Sequence, residues 1–202
     1  MERLDEIIAA LEHARRQEQK QAGREEPESG PRVLSLEEMG EGIREGHLFL
    51  PGKGELVFKT LVCFPERIPL VFPEGFYTVR QETEDAVILA NGEENVGQTL
   101  VRLPSDMEKL DVEAWASRIR EGMKAGGLYA DILQLKSLEF LDYVSCRVPS
   151  KEGWVYNIFY KVHRTGWRVT GGGSCMDRDR DTYGRLLEAA VLETARGISG
   201  EA

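Results

Sequence analysis

The stretch "GWVYNIFYKVHRTGWRVTGGGS", Gly153 to Ser174, carries the clearest strand signal in the chain. Its large apolar residues occupy every second position and would share one face of a β-strand; they are Trp154, Tyr156, Ile158, Tyr160 and Val162. Asn157, Lys161 and His163 fall on the opposite face. The short segment "HRTG" before "WRVTGGG" favours a turn between two neighbouring strands. We therefore expect an antiparallel hairpin with the aromatic face in the core.

A third strand precedes this hairpin, joined to it by "PSKEG". Its alternation places one apolar set on a single face, namely Phe140, Val144, Cys146 and Val148, with Tyr143, Ser145 and Arg147 opposite. Asp142 falls in phase with the apolar set. An unpaired buried carboxylate is costly, so we expect either a bulge or a partner such as Arg147 or Lys161.

The rest of the chain reads as blocks of strands and helices. Five short β-rich runs begin near Glu55, Ile68, Phe76, Ala86 and Gly97. Ser35 with Glu38 forms a capping box for a short helix, and Asp111 can cap a helix that contains Trp115. A last helix is expected from about Asp181. Strands in blocks predict an α+β fold, an antiparallel sheet covered by helices.

The N-terminal segment is predicted to be an arm outside this domain. An apolar stripe at helical spacing, formed by Leu4, Ile7, Ile8 and Leu11, predicts an amphipathic helix within residues 1–22. Residues 23–33 are polar and broken by Gly and Pro, which indicates a flexible linker, and residues 34–198 form the domain. So short a helix must bury its stripe against its own domain, a second copy in a homodimer, or another protein.

Composition excludes several classes of function. The chain has 202 residues and a net charge of −9, which repels nucleic acid and anionic membranes. Neither a membrane-spanning run nor a signal peptide is apparent. Three unclustered cysteines argue against disulfides and suit a reducing compartment, so we expect a cytoplasmic protein with no cofactor.

The segment "DRDRDTYGRLLE" has the acid spacing of a calcium loop. Asp177, Asp179, Asp181 and Glu188 match positions 1, 3, 5 and 12 of an EF-hand. The sixth position requires Gly and is Thr182. We therefore favour Asp181 as a helix cap and predict no metal, with a calcium-responsive protein as an alternative.

A thiol enzyme or hydrolase is the other alternative. It would use Cys175 or Cys63 as the nucleophile and His163 as the base. The Gly-rich "TGGGSC", Thr170 to Cys175, reads as a flexible loop or closely approached strand end, and it lacks the Lys of a phosphate-binding loop. Acids beside Cys175 would disfavour its thiolate.

Three segments resemble the PsbP-like superfamily, which includes the Ran-binding Mog proteins and the bacterial DcrB-like domains. They are "VFPEGFYTV", "LDVEAWASRIREGMKAG" and the aromatic hairpin at Gly153, and the resemblance spans about residues 72–198. It implies an α/β/α sandwich that binds proteins, for example as an adaptor or chaperone in bacterial secretion. Our leading hypothesis is therefore a non-enzymatic protein-binding module that acts through an exposed sheet face and the N-terminal helix.

Overall fold

The structure is a computed structural model that describes residues 32–65, 67–103, 110–139, 141–164 and 167–199. The compact unit begins at Val33. The described residues do not include the predicted apolar stripe of Leu4, Ile7, Ile8 and Leu11. The homodimer predicted through this stripe stays a prediction. Phe140 and the His163 side chain also lie outside the described residues.

Three α-helices and ten strands form the described part of the chain. The helices are α1 (Leu36–Glu45), α2 (Val112–Ala125) and α3 (Arg185–Ser199). The strands are β1 (His47–Leu50), β2 (Gly54–Cys63), β3 (Ile68–Pro73), β4 (Val79–Glu82), β5 (Ala86–Asn91), β6 (Val96–Leu103), β7 (Asp131–Ser137), β8 (Leu141–Ser150), β9 (Gly153–Arg164) and β10 (Trp167–Met176).

All strand pairs are antiparallel and form two sheets. The small sheet has the order β1-β2-β3, and the large sheet has the order β4-β5-β6-β10-β9-β8-β7. The predicted meander is present as β8, β9 and β10, and β6 pairs with β10 although about 60 residues separate them in the chain. These sheets with their helices confirm the predicted α+β class.

Both predicted helix caps are present. The Ser35 hydroxyl accepts from the Glu38 amide at 3.2 Å, and Glu38 Oε2 accepts from the Ser35 amide at 2.8 Å, which completes the capping box of α1. Asp111 Oδ1 accepts from the amide of Ala114 at 2.7 Å and starts α2.

The main core lies between the two sheets, on what we call the first face of the large sheet. Helix α3 packs there against α1, the small sheet and the middle of the large sheet. Its Thr194 hydroxyl accepts from the Val71 amide of β3 at 3.2 Å. Tyr143, Ile158 and Tyr160 project into this core from the large sheet and are fully buried. The aromatic alternation of β9 thus has the predicted face, although Trp154 at its end is exposed.

The other side of the large sheet, its second face, carries α2. Val112 and Ala116 of α2 pack on Val144, with Trp115 partly buried beside them. Cys146 and Val148 are buried on the same face, where they pack against Ala130, the residue just before β7. Strand β8 is therefore buried on both faces, because helices cover it from both sides.

Two predicted segments are different in the structure. "TGGGSC" is not a flexible loop but the second half of β10, and it is closely approached, as the other interpretation of this segment predicted, because Gly171 lies against the Tyr160 ring. The last α-helix begins at Arg185 and not near Asp181, because a short 3₁₀ turn (Asp177–Asp179) and one π-helical turn (Arg180–Gly184) come first. Neither turn has the hydrogen-bonding pattern of an α-helix, so Asp181 is not its N-cap.

Candidate functional site: an open sheet face

The cysteines considered as nucleophiles are buried. Cys63 and Cys175 have no exposed surface, and burial raises the pKa of the Cys63 thiol to about 11 and that of Cys175 to about 12. Asp179 and Asp177 add to the effect at Cys175. Such thiols are protonated at neutral pH, so neither provides the thiolate that nucleophilic catalysis needs. Cys175 lies in β10 and not in the loop in which we expected it.

The acids of the calcium-like segment are paired with arginines. Asp177 Oδ2 lies 3.8 Å from Arg147, and Asp179 Oδ2 lies 3.6 Å from the neighbouring Arg178. Asp181 Oδ1 lies 3.5 Å from Arg185, one turn further on. No group of three or more His, Cys, Asp or Glu within the described residues could hold a metal ion.

The fourth acid of that segment, Glu188, is directed into the core. It is only 8% exposed and lies in α3, one turn after the π-helical segment. The Tyr143 hydroxyl donates to Glu188 Oε1, and Lys136 Nζ lies 3.4 Å from the same oxygen. Glu188 therefore takes part in a buried polar contact with the large sheet, a role that its spacing in the sequence did not indicate.

Asp142 has the lysine partner that its position on an apolar face required. Its Oδ2 lies 3.5 Å from Lys161 Nζ, and its Oδ1 accepts from the Ser137 hydroxyl at 2.6 Å. The same lysine donates to the carbonyl of Leu110 at 2.8 Å and lies over the Trp115 ring at 4.6 Å. This cluster ties β8 and β9 to the start of α2, and its partners satisfy the buried charges.

Among the described residues, helix α2 covers only part of the second face, and the side chains on the rest of that face stay accessible. The uncovered side chains on β5, β6, β10 and β9 are half-buried or exposed. They form what we call the open face, which consists of Ala86, Ile88, Ala90, Gly97, Thr99, Val101, Thr170, Gly172, Ser174, Val155, Asn157 and Phe159.

The middle of the open face forms a shallow depression because the side chains there are small. Gly172 pairs with Thr99 and Phe159, and Ser174 pairs with Gly97 and Asn157. A Cβ atom added at Gly172 would meet nothing closer than 3.4 Å. Larger side chains border this floor, with Ile88 at 41% exposure on one side.

A hollow of about 600 Å³ lies at one end of the open face. Ala90, Gly97, Ser174 and Val155 form part of its wall. The turn after β8 contributes Lys151 and Glu152, which are both exposed. The open face thus offers an apolar, small-residue floor with charges at its end and no reactive group in the described part of it.

The alternation of side chains along each strand could identify the second face, but it could not show which part of that face is uncovered. The pairing of β6 with β10 and the position of α2 decide this, and both depend on contacts between distant parts of the chain. The one local signal was the run of glycines in β10, which the sequence predicts either as a flexible loop or as a closely approached strand end.

Among the described residues, no helix has the length and apolar character that crossing a bilayer requires. No protein-family model matches the chain, and no curated protein matches it.

A solved structure does match. It is the solution structure of cyanobacterial PsbP from Synechocystis sp. PCC 6803, with a TM-score of 0.55 and 12% sequence identity. The match covers 70% of this chain and 93% of the PsbP chain. At this identity the similarity concerns the fold alone, and it agrees with the resemblance that the aromatic hairpin and the segments around it suggested. The chain therefore has a PsbP-like fold.

Proposed function

We propose that this chain is a non-enzymatic, cytoplasmic protein-binding module, and that its open face binds an apolar helical segment of another protein. The observation that carries the proposal is a half-exposed sheet surface with a floor of small residues, Gly97, Thr99, Gly172 and Ser174, beside a helix that already packs on the same sheet. The resemblance to DcrB-like domains supports, in addition, a role as an adaptor or chaperone.

The dimensions of the open face suit one helix. Its four strands are separated by three gaps of about 4.8 Å, which makes the strip about 14 Å wide. An α-helix with its side chains is about 10–12 Å across, so one helix fits beside α2 and two do not. Small residues on the floor allow the helix to approach closely, and Ile88, Val101 and Phe159 provide apolar contacts at its sides. This is the helix-in-groove mode of recognition.

The charge distribution is consistent with an apolar partner. On the second face, Lys161 is already paired with Asp142 at one end of the open strip. The central residues Thr99, Thr170 and Asn157 are polar but uncharged. A helix that lies there would therefore bury its apolar side without leaving an unpaired charge, which would be costly.

Nuclear magnetic resonance of the full chain tests this proposal. The probe is a synthetic amphipathic helical peptide with leucines at the i, i+3, i+4 and i+7 positions. The chain should carry Ile7→Ser and Ile8→Ser so that its own N-terminal stripe does not compete. We expect the largest amide shifts in β5, β6 and β10, because the peptide would lie on their side chains.

Thr99→Arg places a charge on the floor and should weaken peptide binding at least tenfold, since burying an unpaired charge is unfavourable. Val57→Arg is the matched control, because Val57 is 49% exposed on the small sheet. Shifts confined to the small sheet, or equal binding by both variants, would contradict the proposal.

A further inference from the structure

A second cavity lies on the first face, on the other side of the large sheet from the open face. It has a volume of about 450 Å³, is partly open to solvent, and is lined by β7, β8, β9, the start of α1, the π-helical turn and the first turn of α3. Leu36 and Leu133 form apolar parts of its wall. The volume falls within the range of roughly 300–1,000 Å³ that is typical of small-molecule sites.

The inner wall of this cavity consists of buried polar groups. Ser145, Tyr156 and Glu188 line it, and all three are less than a tenth exposed. Burial raises the pKa of Tyr156 to about 12, so its hydroxyl keeps a proton to donate at neutral pH. Tyr143 and Lys136 both contact Glu188 through Oε1. Its Oε2 has no donor among the described residues and can accept a hydrogen bond from a ligand.

The outer wall carries two arginines, Arg180 from the π-helical turn and Arg185 from the start of α3. Arg185 is engaged, because its Nε lies 3.5 Å from Asp181 and its Nη1 donates to the Leu34 carbonyl at 3.4 Å. Arg180 lines the cavity and has no carboxylate partner in the described part of the chain. The stem of Arg180 passes over Gly184, where an added Cβ would lie 3.0 Å from its Cγ. The missing side chain at Gly184 thus lets Arg180 lie across the cavity.

The charges around the cavity do not cancel. Three bases line it, Lys136, Arg180 and Arg185, against two acids, Asp181 and Glu188, so that 3 − 2 leaves one positive charge. Each acid has one of the bases within 3.5 Å, and the remaining base is Arg180. A single negative charge on a ligand would balance the site, and the fork of a guanidinium matches the two oxygens of a carboxylate.

From this arrangement we propose that the cavity binds a small monocarboxylate with an apolar body and a hydroxyl group at its far end. The carboxylate pairs with Arg180, the body lies between Leu36 and Leu133, and the far group donates to Glu188 Oε2. A cavity of about 450 Å³ has the volume of about 15 water molecules, which sets the size of the ligand. This site is independent of the open face and of its helical partner.

Calorimetry and amide-shift mapping on the full chain test the proposal with three related compounds. The probe is 4-hydroxyphenylacetate, which has the carboxylate, the ring and the hydroxyl. Phenylacetate lacks the hydroxyl, and 4-hydroxyphenethyl alcohol lacks the charge. We expect the probe to bind with a Kd of about 0.1–1 mM, as its size allows. Each comparison compound should bind roughly tenfold more weakly or worse, because it loses a hydrogen bond to a charged group.

The decisive variant is Arg180→Gln, with Arg178→Gln as its control. Arg178 is two residues away and 72% exposed, and it does not line the cavity. Arg180→Gln should weaken binding of 4-hydroxyphenylacetate at least tenfold, whereas Arg178→Gln should leave it unchanged. The proposal is overturned by no binding at millimolar concentration, by equal binding of the alcohol, by shifts away from β7–β9 and α3, or by equal effects of the two variants.

Discussion

Replacing Gly171 with alanine should destabilise the domain far more than the same change at Gly172. The two glycines are neighbours in β10 but lie on opposite faces of the large sheet. At Gly171 an added Cβ would lie 2.3 Å from Cζ of Tyr160 and 2.5 Å from the Thr99 carbonyl oxygen. The ring is fully buried and the oxygen belongs to the backbone of β6, so neither can move aside without loss.

The structure sets the size of the effect. Overpacking a core by one methyl group costs about 1–3 kcal/mol, and losing the packing of a buried aromatic ring, as in truncation of Phe to Ala, costs about 3–5 kcal/mol. Both contacts at Gly171 are much shorter than a van der Waals separation, so we expect Gly171→Ala to lower the free energy of unfolding by about 3–5 kcal/mol. At Gly172 the nearest atoms are at 3.4 Å, and alanine there should stabilise the strand by about 0.5–1 kcal/mol.

Urea unfolding followed by circular dichroism measures this difference. With a slope near 2 kcal/mol/M, the midpoint of Gly171→Ala should fall by about 1.5–2.5 M, and that of Gly172→Ala should rise slightly. The reasoning is refuted if the free energy of unfolding of Gly171→Ala lies within about 1 kcal/mol of that of the unchanged chain, well below the expected loss of about 3–5 kcal/mol. Equal destabilisation by both variants would also refute it.

Three further predictions concern buried polar groups. Folding raises the pKa of the Cys175 thiol to about 12, above its unfolded value of about 8.5. The stability that this thiol contributes is therefore complete below about pH 8.5 and is lost as the pH rises towards about 12. Thermal unfolding between about pH 7 and 11 should show a falling melting temperature, and the fall should be less steep in Cys175→Ala. Tyr143→Phe removes a donor from buried Glu188 and should cost about 1–3 kcal/mol in urea unfolding, whereas an unchanged midpoint would argue against that hydrogen bond. Lys161→Met leaves Asp142 without its lysine and should cost about 2–4 kcal/mol; a neutral result would show that the pair contributes nothing.

The part of the fold that sequence could predict is the part with strong local patterning. The alternation through Tyr156, Ile158 and Tyr160 predicted a buried strand face correctly, and Ser35 and Asp111 marked helix starts that the structure confirms. These signals are local, because they depend on a period of two residues or on a cap within three.

Other elements lacked such a signal. Strand β1 has only four residues, and β7 contains an irregularity between Ile132 and Gln134 that interrupts the alternation. Neither strand was predicted. Because of the π-helical turn at Arg180–Gly184, α3 begins about one turn later than predicted. No residue pattern in the sequence predicts such a turn.

The candidate sites depend on contacts that no local pattern contains. The open face exists because β6 pairs with β10 and α2 stops at β8, and the polar cavity exists because β7 lies beside the start of α3. Asp142 was the exception, since its position on an apolar face required a partner and Lys161 was one of the two candidates named for it.

The position of α3 in chain order has a consequence for biosynthesis. Every strand of both sheets precedes α3, yet α3 supplies the buried residues Ala189, Ala190, Val191 and Ala195 that lie between them. A growing polypeptide therefore presents two apolar surfaces that remain incomplete until α3 has left the ribosome. During that interval the nascent chain depends on fast synthesis or on chaperones to avoid aggregation, and a premature stop before Arg185 should yield a product that quality-control proteases remove.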